Sequence, residues 1–243
     1  MPSAMNDDHD SEESEPRPPS AAQVARRALI LTVVACRGIL ELDPARDEAR
    51  EFWDEVVPWW KSIGLDADLE PEEADLLSTP FGSAQRQSAV DAGWRSEALA
   101  VLGWALQRSS LPAHDTQVDA SSISRQLGFL QPQTVLASPE LRLAAELTEY
   151  ANVAFTVHWR LRDFRLQPRA LDFANVCETA RFGPLSLRGV RLLNGDLAVG
   201  DFPISQALPA SVGAAASIAR ERHQAANWLL DASLPLSETD AST

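Results

Sequence analysis

Glu97 and Glu221 are carboxylates on helix faces that are otherwise apolar. Glu97 lies three residues after Trp94 and seven residues before Trp104. Glu221 lies seven residues before Trp228. At 3.6 residues per turn, these spacings place each carboxylate on the same face as its tryptophans. A carboxylate that faces a protein core needs a partner for its charge, or its pKa must rise.

Two interpretations of these carboxylates differ in their chemistry. A pair of carboxylates between helices is typical of general acid/base catalysis. Alternatively, arginines neutralise them in ion pairs that cross-link helices, and the candidates are Arg95, Arg165 and Arg222. The structural interpretation is favoured because structural ion-pair networks are common and perturb pKa values as active sites do.

The sequence contains no recognisable metal or cofactor motif. His158 and His223 are the histidines that fall in strongly predicted helices, and neither has a glutamate three residues before it. Glu221 and His223 are two residues apart and therefore point to different sides of a helix. There is also no Cys-x-x-Cys, no dinucleotide-binding glycine motif and no phosphate loop. We therefore expect no metal site and no cofactor.

The charge of the chain restricts its partners. The formal net charge is −14, and six carboxylates but no basic residue lie within the first fifteen positions. Such acidity repels nucleic-acid phosphates and anionic lipids over most of the surface. The apolar run at residues 28–35 is too short to span a membrane and follows an acidic leader. We expect a cytoplasmic protein that binds neither nucleic acid nor membrane, and for which another protein is the expected partner.

Helical periodicity dominates the sequence and predicts a mainly α fold, a multi-helix single domain. The predicted helices cover residues 20–38, 43–64, 70–77, 83–108, 120–127, 138–165 and 209–231. Asn194-Gly195 between apolar runs predicts a small two-stranded β-hairpin within residues 185–204. Composition predicts a disordered acidic tail at residues 1–19, a single helical domain at residues 20–236 and a disordered tail at residues 237–243.

Several residues indicate where the first two helices begin and end. Ser20 has the spacing of a capping box, and Gly38 predicts the end of the first helix. Asp43 and Pro44 predict the start of the second helix. Pro58 lies inside the second helix, where it predicts a kink or a break.

Residues 94–106, 158–165 and 221–229 contain the blocks W-R-S-E-A, H-W…D-F-R and E-R-H-Q-A-A-N-W-L, with L-G-W-A-L closing the first. In this order they resemble the family called domain of unknown function 4272, and the likeness covers roughly residues 20–231. The resemblance implies a mostly helical bacterial protein and supplies no activity. The polar residues of the three blocks form a candidate polar cluster: Arg95, Glu97, His158, Asp163, Arg165, Glu221, Arg222, His223 and Asn227.

Two functional hypotheses follow. The first is a non-catalytic cytoplasmic protein that acts through protein–protein contacts, as an accessory, regulatory or toxin-neutralising partner. The second is an enzyme or small-ligand binder with a polar site between helices around Glu97, His158 and Glu221. A cleft with unpaired carboxylates favours the second hypothesis, whereas a dry and fully paired cluster favours the first.

Overall fold

Helices form most of the described molecule. The computed structural model describes residues 15–43, 45–183 and 185–243. Within these residues there are eight α-helices and three short β-strands, which confirms the predicted mainly α fold. The helices are α1 (Ala21–Leu42), α2 (Arg46–Ser62), α3 (Pro71–Ser78), α4 (Arg86–Ala105), α5 (Ala120–Gln126), α6 (Ala144–Leu166), α7 (Phe173–Thr179) and α8 (Pro209–Leu230). None of the described helices is long and apolar enough to cross a membrane.

α1 and α4 form the centre of the molecule. α1 packs against α4, α4 contacts α8, and α8 pairs with α6. α1 is largely enclosed, and Leu29 and Leu31 have no exposed surface. The larger hydrophobic core lies around α1, α2 and α4, and a second core lies between α6, α8 and the small sheet. The candidate polar residues lie on α4, α6 and α8, and α6 and α8 contribute residues to both cores.

α1 begins as predicted but continues past its predicted end. The Ser20 hydroxyl accepts the N–H of Gln23, whose side chain accepts the N–H of Ser20, which completes the capping box. The helix continues through Gly38, so the predicted end there is wrong. A Cβ at position 38 would lie 2.5 Å from the carbonyl oxygen of Ala89 and 2.6 Å from the backbone nitrogen of Gly93. The glycine therefore permits a close approach of α1 to α4 and does not end the helix.

α2 is continuous through Pro58, so the predicted break does not occur. Trp53 and Trp60, which flank the proline, are buried in the core. This packing maintains the helix where the proline removes one backbone hydrogen bond. The carboxylate of Asp43 accepts a backbone N–H just before α2, and Pro44 lies outside the described residues.

The predicted hairpin is confirmed and is extended by a third strand. β1 (Leu192–Leu193), β2 (Asp196–Val199) and β3 (Phe202–Pro203) form an antiparallel sheet in this order. Asn194 and Gly195 both have positive φ angles, 53° and 78°, as a type I′ turn requires. β2 is buried along its whole length and contacts α7 and α8. This packing supplies the support that an isolated hairpin lacks.

The residues just before α1 contact the end of α8. The backbone N–H of Arg17 donates to the carboxylate of Asp231, and Pro19 is buried. Residues 17–19 therefore contact the helical domain, whereas composition predicts disorder for residues 1–19. Residues 1–14, where most of the predicted acidic tail lies, are outside the described residues.

The C-terminal residues fold back on α8, which differs from the disordered tail predicted at residues 237–243. The Gln224 side chain donates to the carbonyl oxygens of Ser237 and Thr239. The Asn227 side chain donates to the carbonyl oxygen of Asp240. The polar composition of this segment suggested disorder, but composition does not reveal that the amides of Gln224 and Asn227 on α8 donate to its carbonyl groups.

Candidate functional site

Glu97 on α4 and Arg222 on α8 form a buried ion pair. Glu97 has no exposed surface, and Arg222 is 4% exposed. The Nε and Nη2 atoms of Arg222 lie 2.9 and 2.8 Å from Oε2 of Glu97. Oε1 accepts the N–H of Val118 at 2.9 Å. Both carboxylate oxygens are engaged, and the prediction that Glu97 is buried against an arginine is confirmed.

The other N–H groups of Arg222 bind the loop between α4 and α5. Nη1 donates to the carbonyl oxygens of Pro112 and Ala113 at 3.2 and 3.0 Å, and Nη2 donates to that of Thr116 at 2.8 Å. The planar guanidinium thus cross-links α8, α4 and this loop. A charge with this many partners tolerates burial. The arrangement leaves no free carboxylate oxygen that could transfer a proton.

Glu221 forms a second, more hydrated pair. Its Oε2 lies 3.1 Å from Nη1 of Arg95, which also donates to Oε1 of Gln224 at 3.2 Å. Glu221 is 8% exposed, so its predicted burial against an arginine is confirmed. The Arg95 side chain is 21% exposed and lines a cavity of about 540 Å³ between α3 and α4. Water screens this pair more than the Glu97–Arg222 pair.

His158 on α6 and His223 on α8 are in direct contact. Their Nδ1 atoms lie 3.1 Å apart, and the amide nitrogen of Asn227 lies 3.1 Å from Nε2 of His223. That amide nitrogen also donates to the carbonyl oxygen of Asp240. The contact between the two Nδ1 atoms requires a proton on one ring and a lone pair on the other. Burial lowers the pKa of each histidine to about 4, so both rings are neutral at neutral pH.

Asp163 and Arg165 take no part in these contacts. Arg165 is exposed, and neither glutamate uses it as a partner. Asp163 binds Arg160 at 2.8 Å. Arg160 has no exposed surface and also makes two 2.8 Å contacts with Asp196 on β2. The Arg160–Asp196 pair was not predicted from the sequence, although Arg160 follows the buried Val157 by three residues and so shares its face.

A cavity of about 550 Å³ lies between α4, α6 and α8, beside the Glu97–Arg222 pair. Trp104 and Tyr150 line it, and Arg222 lies in its wall. His114, from the loop between α4 and α5, also lines it, with Nε2 2.7 Å from the carbonyl oxygen of Ala198. Nothing in the sequence distinguished His114 or Tyr150 from ordinary loop and helix residues.

Metal-ligating side chains do not converge within the described parts of the chain, where no group of three or more His, Cys, Asp or Glu residues could hold a metal ion. The nine predicted site residues instead divide into separate contacts. Glu97 with Arg222, Glu221 with Arg95, and the histidine pair with Asn227 are three local groups along α8.

The protein is mainly helical, and buried arginine–carboxylate pairs join α4 to α8 and α6 to β2. The chain belongs to the family described as domain of unknown function DUF4272, whose model matches residues 9–176. The match includes residues 94–106 and 158–165, two of the blocks that carried the resemblance, and ends before residues 221–229. No curated protein and no solved structure has a significant match to the chain.

Proposed function

We propose that this protein is non-catalytic and acts in the cytoplasm through contact with another protein, as an accessory, regulatory or toxin-neutralising partner. The observation that supports this proposal is the complete pairing of Glu97, which has no exposed surface and no free carboxylate oxygen. A general acid or base has to reach the atom whose proton it transfers. The most deeply buried carboxylate of the candidate cluster instead holds helices together.

The alternative, an enzyme or small-ligand binder centred on Glu97, His158 and Glu221, has less support. Each of the three side chains binds a neighbouring side chain. None of the three lines the 550 Å³ cavity between α4, α6 and α8. Their positions therefore do not combine into one cleft with unpaired acids.

The surface best suited to a protein partner is the outer face of α2, which we call the acidic α2 face. Carboxylates at positions i, i+1, i+4, i+7 and i+8 occupy an arc of about 120° on a helix. All five are exposed and lie opposite the buried Trp53, Val56 and Trp60. They are Asp47, Glu48, Glu51, Asp54 and Glu55.

Charge complementarity points to a basic partner. Residues 46–78 contain eleven carboxylates and three basic residues. Within the described residues, no ion pair neutralises any of the five carboxylates of the acidic α2 face. Phe52, at the edge of this face, is 37% exposed and provides an aromatic anchor. A partner surface rich in lysine and arginine would relieve the repulsion between these carboxylates and associate rapidly at low salt.

The test compares two triple variants of equal charge. Asp47→Lys, Glu51→Lys and Asp54→Lys reverse the acidic α2 face, whereas the control has Glu140→Lys, Glu178→Lys and Asp201→Lys on exposed positions elsewhere. Proteins retained by the unmodified chain from a lysate of the source organism are identified, purified and titrated against all three chains.

We expect a basic partner that binds the α2 variant at least about tenfold more weakly than the unmodified chain. Its affinity for the control should stay within about twofold of that for the unmodified chain. Equal affinity for the two variants would overturn the proposal. A lysate in which no retained protein distinguishes the α2 variant from the control would overturn it as well.

A further inference from the structure

The cavity between α4, α6 and α8 combines aromatic and aliphatic walls. The rings of Trp104 and Tyr150 lie 4.8 Å apart with a tilt of 45°, and the guanidinium of Arg142 lies 4.8 Å from the centre of the Trp104 ring. Val153 and Val157 on α6 extend the apolar wall. The volume of about 550 Å³ falls within the range of small-molecule pockets. The acidic α2 face takes no part in this cavity.

Two charged side chains at this cavity have no ion-pair partner among the described residues. Arg142 pairs with Glu146 at 3.2 Å, and Arg222 pairs with Glu97. Glu149 and Arg188 also line the cavity, and neither has an ion pair within the described residues. The Arg142–Glu146 and Arg222–Glu97 pairs already satisfy their charges. The carboxylate of Glu149 and the guanidinium of Arg188 are therefore available for a ligand.

Ser186 keeps these two residues close to each other. Its hydroxyl donates to Oε1 of Glu149 at 2.7 Å and accepts the backbone N–H of Arg188 at 3.3 Å. Glu149 is half-buried, and Arg188 is exposed at the rim. The Glu149 carboxylate and the backbone of Arg188 therefore meet at one hydroxyl, and the two side chains form no direct ion pair among the described residues.

Two neutral polar groups face the same cavity. Nε2–H of His114 donates to the carbonyl oxygen of Ala198, and burial lowers the pKa of this histidine. Its Nδ1 is therefore an unprotonated acceptor at neutral pH. The hydroxyl of Tyr150 has no hydrogen-bond partner among the described residues, and burial raises the pKa of this group to about 12. Acceptors of this kind suit an ammonium group, which presents three N–H donors.

We propose that this cavity binds a free amino acid with an apolar side chain, with its ammonium group at Glu149 and its carboxylate at Arg188. The apolar side chain then packs against Trp104 and the valines of α6. A ligand that carries both charges satisfies both unpaired groups. A ligand with only one charge makes only one of these two interactions.

Calorimetric titration of the full chain with three related probes tests the ligand class. L-phenylalanine has both charges, 3-phenylpropionate lacks the ammonium group, and phenethylamine lacks the carboxylate. We expect saturable binding of L-phenylalanine with a Kd below about 1 mM, and binding at least about tenfold weaker for the other two probes. Absence of saturation at about 10 mM L-phenylalanine, or equal affinity for 3-phenylpropionate, would overturn the proposal.

Variants test the location of the site. Glu149→Gln and Arg188→Gln should each weaken L-phenylalanine binding at least about tenfold. The matched exposed controls Glu178→Gln and Arg181→Gln should leave the affinity unchanged. Val153→Trp fills the cavity without changing a charge and should abolish binding; melting curves identify any variant that is unfolded. Retained affinity in the folded Val153→Trp or Glu149→Gln chain would show that the ligand binds elsewhere.

Discussion

Glu97 shows how a single residue keeps its charge inside a core. Its carboxylate accepts hydrogen bonds from Arg222 and from the backbone of Val118, and no water is needed to complete them. Such a pair adds little net stability, because removing two charges from water costs about as much as their attraction returns. Removing one partner is different, since the other charge is then left buried without compensation.

Glu97→Gln should therefore destabilise the protein by about 2–4 kcal/mol. The glutamine can still accept a hydrogen bond, but the positive charge of Arg222 loses its counter-charge. Glu221→Gln should cost only about 1 kcal/mol, because Arg95 is 21% exposed and water replaces part of the lost interaction. Chemical unfolding midpoints of the two variants and the parent measure both effects.

Glu51→Gln is the matched control, because Glu51 is exposed on α2. Its free energy of unfolding should stay within about 0.5 kcal/mol of the parent. If Glu97→Gln is as harmless as Glu51→Gln, the Glu97–Arg222 pair is not a structural cross-link, and a catalytic role for Glu97 becomes the better interpretation.

His158 and His223 should make stability depend on pH below neutrality. Burial lowers the pKa of both folded histidines to about 4, whereas an unfolded histidine has a pKa of about 6.5. The unfolded chain thus binds more protons between these values, so stability is complete above about pH 6.5 and falls as the pH approaches 4. Between pH 7.5 and 5.5 we expect a loss of about 1.3 kcal/mol per histidine, or about 2–3 kcal/mol for the pair, in the free energy of unfolding.

A chain with both His158→Gln and His223→Gln separates this effect from the titration of other groups. Most carboxylates stay ionised over this pH interval, so the double variant should keep mainly the pH dependence of His114, whose pKa burial also lowers. A parent chain with equal stability at pH 7.5 and 5.5 would contradict the neutral, buried state of the histidine pair.

The helices were largely predictable because periodicity and capping act within one segment of chain. Ser20 begins α1 as predicted, and α8 ends within one residue of its predicted end. The errors concern contacts between segments. Gly38 resembled a helix end because the glycine's role depends on α4, which lies far away in sequence. α7 was not among the predicted helices.

The same reasoning explains which site residues were predictable. Glu97 and Glu221 were identified because a charge among tryptophans at helical spacing is visible in one segment. Asp196 was not identified as a site residue, because it directly follows the hairpin turn and aspartate is common at turns. Its partner Arg160 comes from α6, and only the three-dimensional fold reveals their 2.8 Å contact.

Gly38→Ala should destabilise the contact between α1 and α4. Alanine favours a helix by about 1 kcal/mol over glycine, but its Cβ would lie 2.5 Å from backbone oxygen in α4. Because backbone cannot move aside as a flexible side chain does, we expect a net loss of about 1–3 kcal/mol by chemical unfolding.

Gly213→Ala in α8 is the control, since a Cβ there meets nothing within 4 Å. Only the helix preference remains, and this variant should gain about 0.5–1 kcal/mol. Equal stabilisation by both substitutions would mean that α1 and α4 are not in close contact at Gly38.

Negative charge is unevenly distributed over the molecule, and residues 237–243 pack against α8. Residues 46–78 carry more than half of the net charge of −14, since eleven carboxylates face three basic residues there. Residues 237–243 run alongside α8, and their carbonyl oxygens accept hydrogen bonds from the side chains of Gln224, Asn227 and Arg162. Glu70 on the α3 side accepts the N–H groups of Leu236 and Ser237.

Removing residues 237–243 should destabilise the protein by about 2–4 kcal/mol, because the amides of Gln224 and Asn227 lose their acceptors. Thermal and chemical unfolding of the full and shortened chains measure the loss. The same deletion in a chain with Gln224→Ala and Asn227→Ala is the control. If residues 237–243 act through these two amides, this deletion should lower the free energy of unfolding by less than about 1 kcal/mol. A shortened parent as stable as the full chain would mean that residues 237–243 do not bind α8 in solution, and the original prediction of a disordered tail would then be right.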